Sequence, residues 1–397
     1  MWHTAMLSLE LNKEQRKELT KDLPKNYDKS RQQIEGLKVY GQPYNPTYHS
    51  QGVTVFFPRI KKLKGQEESY TTYRALIHVN FSKLLQDNEH LDLVTYKSDV
   101  NFVLQHLNEI LMELFGSLVW EQKNKEASSC NTYIQKTPFK GLSDPRLSVN
   151  RLDCTTQLYG ISQDDIDAYI RCLNKGDWST YKLQGDRVKY SGSVYATTLS
   201  LNINIYDKRN QMISKNQYLK ERGMKPNFDA EAISKAKGIL RIEVQCKRRK
   251  ILEICNKYHV KATLPDLLNP QISRAVITEN LSRIGGRCDY YAIDVVDTAI
   301  EKSPLQRRTK DKLLDIVNTI NRNTNMKLSD VKSNLLNGKK TNKSTVYGYI
   351  DKIEHLTIQG KEGCNAVPLP KNSVRKLKNL LVRVEESWDK IDDEIPF

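Results

Sequence analysis

Residues 199–211 read LSLNINIYDKRNQ, and their pattern decides the fold of the central part of the chain. Apolar and polar residues alternate, which is the period of a β-strand and predicts a strand that ends where the charged residues begin. Tyr206 closes the polar row and Lys208 follows two residues later. A tyrosine here either caps the edge of a sheet or is presented to a phosphate as a nucleophile. The predicted apolar face comprises Leu199, Leu201, Ile203 and Ile205.

Strand patterns also occur on both sides of this stretch, together with helical ones. Helical spacing predicts a core helix over 98–120 and shorter helices over 162–175 and 227–238. This mixture predicts an α+β fold, with an antiparallel β-sheet and helices packed on one of its faces. The predicted strands are 3–11, 52–60, 73–81, 147–156, 187–208 and 239–247.

From residue 261 the pattern becomes mainly helical and basic, which predicts two domains, 1–260 and 261–397. Within the second domain, residues 329–356 read as a helix, an Asn-Gly-centred turn and a second helix that Ser344 would cap. This segment is either a DNA-binding helix-turn-helix or an ordinary helical hairpin. The sequence leaves both interpretations open.

The charge of the chain favours a polyanionic partner. Its 397 residues contain 63 lysines and arginines against 47 acidic residues, a formal net charge of +16, which is most often a sign of nucleic-acid binding. No apolar run approaches the roughly 18 residues of a membrane-spanning helix. The seven cysteines form no C-x-x-C pair, so we expect neither a disulfide framework nor a zinc site, and a reducing cytoplasm.

Three strands carry similar polar rows. Arg151 and Asp153 form an R-x-D row, Arg241 and Glu243 form an R-x-E row, and residues 206–208 form Y-x-K. If these strands are neighbours, carboxylates, cations and a tyrosine share one surface. Carboxylates can hold Mg²⁺ or Mn²⁺, and a tyrosine can attack a phosphodiester. The competing interpretation is a solvated sheet face with ordinary salt bridges.

The segments VNRLDCTT, NINIYDKRNQ and KGILRIEVQCKRRKILE occur in the order and approximate spacing of a known family. Together they resemble the rolling-circle replication initiators of filamentous phages, the gene II/X type, and the related initiators of small rolling-circle plasmids. The resemblance extends over most of the chain, through PTYHSQGVTVF near the N-terminus and VPLPKNSVRKLKNLL near the C-terminus. Only the ordered trio of central motifs is specific.

The resemblance implies a metal-dependent enzyme whose domain 1–260 nicks and rejoins one DNA strand at an origin. The tyrosine would form a covalent 5′-phosphotyrosine and leave a 3′-hydroxyl as primer. Implied partners are supercoiled origin DNA, the single strand released by nicking, a host helicase and polymerase, and a second copy of the chain, in the cytoplasm of a host bacterium. The implied residues are Tyr206 and Lys208 for catalysis, Asp153 and Glu243 for Mg²⁺ or Mn²⁺, and Arg151, Arg241, Lys247, Arg248 and Arg249 for phosphate and DNA.

One position departs from the family pattern. Many members carry a glutamate five residues after the tyrosine, where this chain has Gln211. Two further residues are candidates: His78 is either a structural histidine or a metal ligand or general base, and Tyr195 is the second choice of nucleophile. The alternatives are a relaxase that nicks a transfer origin and a DNA-binding regulator that does not cleave. The lack of a His-x-His pair argues against the other large initiator class, which builds its metal site from histidines.

Overall fold

The structure is a computed structural model of the 397-residue chain. It describes residues 1–21, 31–34, 37–40, 51–57, 73–85, 93–95, 97–125, 132–181, 192–323, 326–337 and 342–394. Contacts within the chain divide it into two compact units. The first unit comprises Met1–Cys154 and Gln245–Ser273, and the second comprises Thr155–Val244 and Arg274–Phe397.

The central element is a seven-stranded antiparallel sheet, so the predicted α+β class is confirmed. Its strand order is β4-β5-β1-β8-β11-β10-β9. Its strands are β1 (Trp2–Leu11), β4 (Val53–Phe56), β5 (Tyr73–Asn80), β8 (Leu147–Leu158), β9 (Ser193–Thr197), β10 (Leu201–Asp207) and β11 (Leu240–Lys247). Separate two-stranded pairs are formed by β2 (Arg31–Ile34) with β3 (Leu37–Tyr40), β6 (Val119–Lys125) with β7 (Thr132–Pro138), β12 (Tyr290–Tyr291) with β15 (Lys376–Leu377), and β13 (Thr357–Ile358) with β14 (Lys361–Glu362).

The first unit is organised around β1, which pairs antiparallel with β5 on one side and β8 on the other. Its apolar side chains are all buried, and those of Trp2, Leu7 and Leu9 have no exposed surface. Burying such side chains is the main favourable term in folding. The helices in this unit are α1 (Lys13–Thr20), α2 (Phe81–Leu85), α3 (Lys97–Phe115), α7 (Arg248–Tyr258) and α8 (Leu264–Leu267).

The second unit contains the β9–β10 hairpin, in which Tyr206 pairs with Ser193, and most of the helices, so the C-terminal region is helical as predicted. Ser162 caps the helix Gln163–Asn174 within the predicted segment 162–175, because its side chain accepts from the Asp165 N–H at 3.1 Å. The helices of the second unit are α4 (Gln163–Asn174), α5 (Lys208–Glu221), α6 (Ala230–Lys235), α10 (Ile293–Lys302), α11 (Arg307–Arg322), α12 (Leu328–Asn337), α13 (Lys343–Glu354) and α14 (Leu380–Glu394). Helix α9 (Pro270–Gly285) begins in the first unit and passes into the second after Ser273. Among the described residues, no helix is both long enough and apolar enough to cross a membrane.

The strands lie close to their predicted positions, with specific differences. The core helix ends at Phe115 rather than at residue 120, because the chain turns there and β6 begins at Val119. Segment 187–208, in which the sequence predicts a hairpin, contains the strands β9 and β10 joined by a turn at 198–200. Residues 58–60 and 187–191, which were predicted to be strand, lie outside the described residues.

The predicted boundary between residues 260 and 261 does not coincide with any of the three points at which the chain passes from one unit to the other. The chain passes from one unit to the other within β8, after Cys154, and within β11, after Val244. The two helices of segment 329–356 are present as α12 and α13, and they pack against each other. The turn residues 338–341 lie outside the described residues. Asn342, not Ser344, caps α13, because its side chain accepts from the Thr345 N–H at 2.8 Å.

Burial differs from that expected for a half-solvated sheet. Side chains on both faces of β8, β10 and β11 are buried along almost the whole length of these strands. The polar rows of these strands are therefore not a solvated face, and the interpretation that explained them as exposed salt bridges does not hold. Leu199 is 64% exposed, because the strand begins only at Leu201.

Candidate functional site

The tyrosine of the Y-x-K motif is hydrogen-bonded to a carboxylate within the second unit. The Tyr206 hydroxyl donates to Glu243 Oε1 at 2.7 Å. Tyr206 is 6% exposed and Glu243 is 5% exposed, so the contact lies away from solvent. Hydrogen bonds to a charged acceptor are roughly twice as strong as neutral ones. The pair therefore orients the phenol toward the group best suited to accept its proton.

Burial and the neighbouring carboxylate raise the pKa of Tyr206 well above its usual value of 10. Desolvation is the largest cause, and the negative charge of Glu243 acts in the same direction. The positive charge and hydrogen bond of Arg241 lower this pKa, but they do not offset the other causes. The phenol is thus protonated at neutral pH, and it needs a base to act as a nucleophile.

Arg241 has no exposed surface. Its Nε and Nη2 atoms donate to Gln157 Oε1 at 3.0 and 2.8 Å. A buried guanidinium must be hydrogen-bonded or ion-paired to offset its desolvation. Gln157 on β8 thus orients Arg241, which in turn acts on the Tyr206 hydroxyl. Gln157 was not among the predicted site residues, although the polar row of β8 continues at two-residue spacing from Arg151 to this position.

The Y-x-K motif spans a strand-to-helix junction. Tyr206 lies in β10, and Asp207 is the N-cap of α5, where its side chain accepts from the Asn210 N–H at 3.1 Å. Lys208 is the first helical residue, and its N–H donates to the Ile239 carbonyl at 3.0 Å. The junction thus holds the backbone on both sides of the tyrosine.

The side chain of Lys208 is also buried, with 3% of its surface exposed. Its Nζ donates to Gln211 Oε1 at 3.3 Å. Desolvation lowers the pKa of Lys208 to about 7, and the charge of Arg241 acts in the same direction, whereas the charge of Glu243 opposes both. Near neutral pH this lysine can therefore both hold and release a proton.

The R-x-D row belongs to the first unit and has a different arrangement. Arg151 Nε lies 3.0 Å from Asp153 Oδ1, and both residues are buried. The Thr4 hydroxyl donates to Asp153 and accepts from Arg151 Nη2 at 2.6 Å. Gln245 Nε2 approaches Asp153 Oδ2 at 3.4 Å. The aspartate is thus ion-paired with Arg151 and also contacts two polar side chains, those of Thr4 and Gln245. Neither of these two was among the predicted site residues.

The basic run after β11 forms the start of α7 in the first unit. Lys247 is the N-cap, and Arg248 Nη1 donates to the Val149 carbonyl at 2.9 Å. Arg249 is exposed and lies 3.5 Å from Glu253. Cations at a helix N-terminus are opposed by the macrodipole, and an anion there would relieve this repulsion. The phosphate-binding roles of these residues stay a prediction.

Carboxylate oxygens are suitable ligands for Mg²⁺ or Mn²⁺, but the described carboxylates do not form a ready metal site. Asp153 is ion-paired with Arg151, and Glu243 accepts from the tyrosine. Among the described residues, no group of three or more His, Cys, Asp or Glu side chains is arranged to hold a metal ion. The two proposed ligands also belong to different units. The metal requirement therefore stays a prediction.

The two uncertain residues lie on strands outside the β8–β11–β10 trio. His78 is in β5, paired with Met6 of β1 and Thr54 of β4, in the first unit. Tyr195 is in β9, where it pairs with Asn204 and its hydroxyl accepts from Thr197 Oγ1 at 2.9 Å. A hydroxyl neighbour is a poorer proton acceptor than a carboxylate. Tyr206 is therefore the better candidate nucleophile.

Comparisons of the chain with protein-family models, with curated proteins and with solved structures found no significant match.

Proposed function

We propose that the chain is a DNA nicking and joining enzyme that initiates rolling-circle replication, with Tyr206 as its nucleophile. The observation that carries the proposal is the hydrogen bond from the buried Tyr206 hydroxyl to Glu243 Oε1. A nucleophile in direct contact with a base is the arrangement that nucleophilic catalysis requires. The resemblance of the three central motifs and the net charge of +16 also support it.

In the proposed first step, the Tyr206 oxygen attacks the phosphorus of one phosphodiester while its proton passes to Glu243. The bond from phosphorus to the 3′-oxygen breaks, and this oxygen takes a proton from Lys208 or from solvent. The products are a 5′-phosphotyrosine and a free 3′-hydroxyl. Attack by a 3′-hydroxyl on the phosphotyrosine reverses these proton transfers and reseals the strand.

The cations of the site would stabilise the negative charge that develops on the phosphate oxygens. Two hydrogen bonds from its guanidinium to Gln157 orient Arg241, and its charge would act on the phosphate once the groups that cover Tyr206 have moved. Lys208 is close enough to Arg241 and Glu243 for their charges to act on its pKa. The resemblance implies that Asp153 and Glu243 bind a metal ion. The proton transfers proposed for Tyr206, Glu243 and Lys208 do not involve that ion.

The burial of Tyr206 favours a second candidate, a DNA-binding regulator that does not cleave. With 6% of its surface exposed, the phenol cannot be reached by a phosphodiester until the groups around it move. Gln211 also hydrogen-bonds Lys208 without the negative charge that the family motif supplies. In this candidate the tyrosine and Glu243 form a structural pair.

A nicking assay separates the two candidates. The wild-type chain and the variants Tyr206→Phe and Tyr195→Phe are each incubated with Mg²⁺ or Mn²⁺ and with supercoiled DNA that carries the origin of the genetic element encoding the chain. The reactions are stopped with detergent. We expect the wild type and Tyr195→Phe to give nicked circles with protein covalently attached, and Tyr206→Phe to bind without nicking. Nicking by Tyr206→Phe would exclude this nucleophile. If all three proteins bind the origin and none of them nicks it, the result would favour the regulator.

A further inference from the structure

Most residues of the helix that follows Tyr206 are exposed. α5 has 14 residues, of which only Lys208 and Met212 are buried. A helix that packs on a globular core ordinarily buries an apolar stripe along its length. α5 lacks such a stripe beyond its first turns, so packing on the core does not explain why the chain keeps an extended helix at this position.

The segment is nevertheless well ordered at its C-terminal end. The Met224 N–H donates to the Leu219 carbonyl at 2.9 Å, and the Gly223 N–H donates to the Lys220 carbonyl at 3.0 Å. Gly223 has a φ of +69°, which completes a Schellman motif that glycine adopts without strain. Asn216 then fixes the returning chain, because its side chain bonds both the N–H and the carbonyl of Phe228.

We refer to residues 208–229 as the basic arm, because it contains six lysines and arginines against two acidic residues. Apolar groups are exposed among these cations. Tyr218 is 50% exposed and Met224 is 55% exposed, and the Arg222 guanidinium carbon lies 4.2 Å from the centroid of the Tyr218 ring. The exposed cations are Arg209, Lys215, Lys220, Arg222 and Lys225.

We propose that the basic arm is a binding surface for single-stranded DNA, on which a base stacks against the Tyr218–Arg222 pair while the lysines contact phosphates. The combination of exposed aromatic and basic side chains favours a single strand, because unpaired bases offer faces for stacking that a duplex encloses. Charge complementarity favours a nucleic acid over a protein partner. The proposal rests on the proposed function, and it assigns to the arm the strand next to the nucleophile, since α5 begins two residues after Tyr206.

The test uses the full chain with EDTA, so that cleavage does not interfere, and a fluorescein-labelled oligonucleotide of mixed sequence as single strand or duplex. Fluorescence anisotropy gives both affinities at several salt concentrations. We expect Tyr218→Ala to weaken single-strand binding by at least about fivefold, since stacking contributes on the order of 1–3 kcal/mol per base. Tyr218→Phe keeps the stacking face and should bind like the wild type, and duplex affinity should change less.

Charge variants provide an independent test. Lys220→Gln should lower the salt dependence of single-strand binding by about 0.7 in the logarithmic slope, the value expected for one phosphate contact. Lys302→Gln removes another exposed lysine, at the end of α10, and should leave the slope unchanged. Wild-type affinity of Tyr218→Ala for the single strand, or equal losses for single strand and duplex, would overturn the proposal.

The outcomes of this binding assay and of the nicking assay are independent. Loss of single-strand affinity in Tyr218→Ala, in a chain that never nicks, would support the arm and reject the enzymatic function. Nicking through Tyr206 with unchanged single-strand binding by Tyr218→Ala would support the enzymatic function and reject the basic arm as a binding surface.

Discussion

Two buried arginine–carboxylate rows with the same spacing have different partners in the two units. In the first unit, Arg151 forms an ion pair with Asp153, and the Thr4 hydroxyl is hydrogen-bonded to both side chains. In the second unit, Arg241 is oriented by Gln157, and Glu243 accepts a hydrogen bond from a phenol. The hydroxyl in the second row is a phenol, which is more acidic than the Thr4 alcohol of the first row, so its proton passes more readily to the carboxylate. Equal spacing in the sequence therefore does not imply equal chemistry.

The largest expected effect concerns the base of the second row. Glu243→Gln keeps a hydrogen-bond acceptor for Tyr206 but is not a base, so the nicking rate should fall by about a hundredfold to ten-thousandfold. The substitution also removes the negative charge that raises the pKa of Tyr206. Ultraviolet titration, with Tyr206→Phe as the blank, should therefore show a lower phenol pKa in the variant. An unchanged nicking rate would place Glu243 outside the proton transfer.

The matching change in the first row should act mainly on stability. Asp153→Ala leaves the Arg151 guanidinium buried without its carboxylate, and we expect it to lower the free energy of unfolding by about 3–5 kcal/mol. Urea unfolding measures this loss. The control is Glu301→Ala, which removes an exposed ion pair with Arg307 and should change stability by less than about 1 kcal/mol. A stable but inactive Asp153→Ala protein would indicate a catalytic role for Asp153 instead.

Lys208 should make stability depend on pH in a predictable direction. Its pKa is about 7 in the folded chain and 10.5 when it is solvated, so between these values the unfolded chain binds more protons. The free energy of unfolding of the wild type, relative to Lys208→Met, should therefore rise as the pH increases from 7 to 10.5, and burial of the charged lysine should cost most below pH 7. A constant difference across this range would indicate that Lys208 keeps its ordinary pKa.

The smallest effect is expected at the cap that joins the site to the basic arm. Asp207→Ala removes the acceptor for the Asn210 N–H at the start of α5 and should lower the free energy of unfolding by about 1 kcal/mol. Asp207→Asn keeps an acceptor and should be close to the wild type. Urea unfolding compares the two variants. Equal stability of Asp207→Ala and the wild type would show that the sheet alone positions the start of the helix.

The sequence predicted much of the sheet and little of the connections. Alternation over β10 and β11 identified strands to within a few residues, because side-chain period depends only on local geometry. The β6–β7 hairpin was not identified, because its strands, with sequences such as VWEQKNK, lack apolar alternation. α5 was also missed, because a helix without an apolar stripe gives no periodic signal.

From the sequence alone we could infer the α+β class, the strands that carry the three polar rows, and the residue types that phosphoryl transfer would use. The three-dimensional structure was needed to show that these rows are buried, that Gln157 and Thr4 complete them, and that Glu243 rather than Asp153 accepts from a phenol. Burial and cross-strand partners depend on residues far apart in the chain, such as Thr4 and Asp153. Local periodicity shows which side a residue faces, whereas packing across the sheet determines what it meets there.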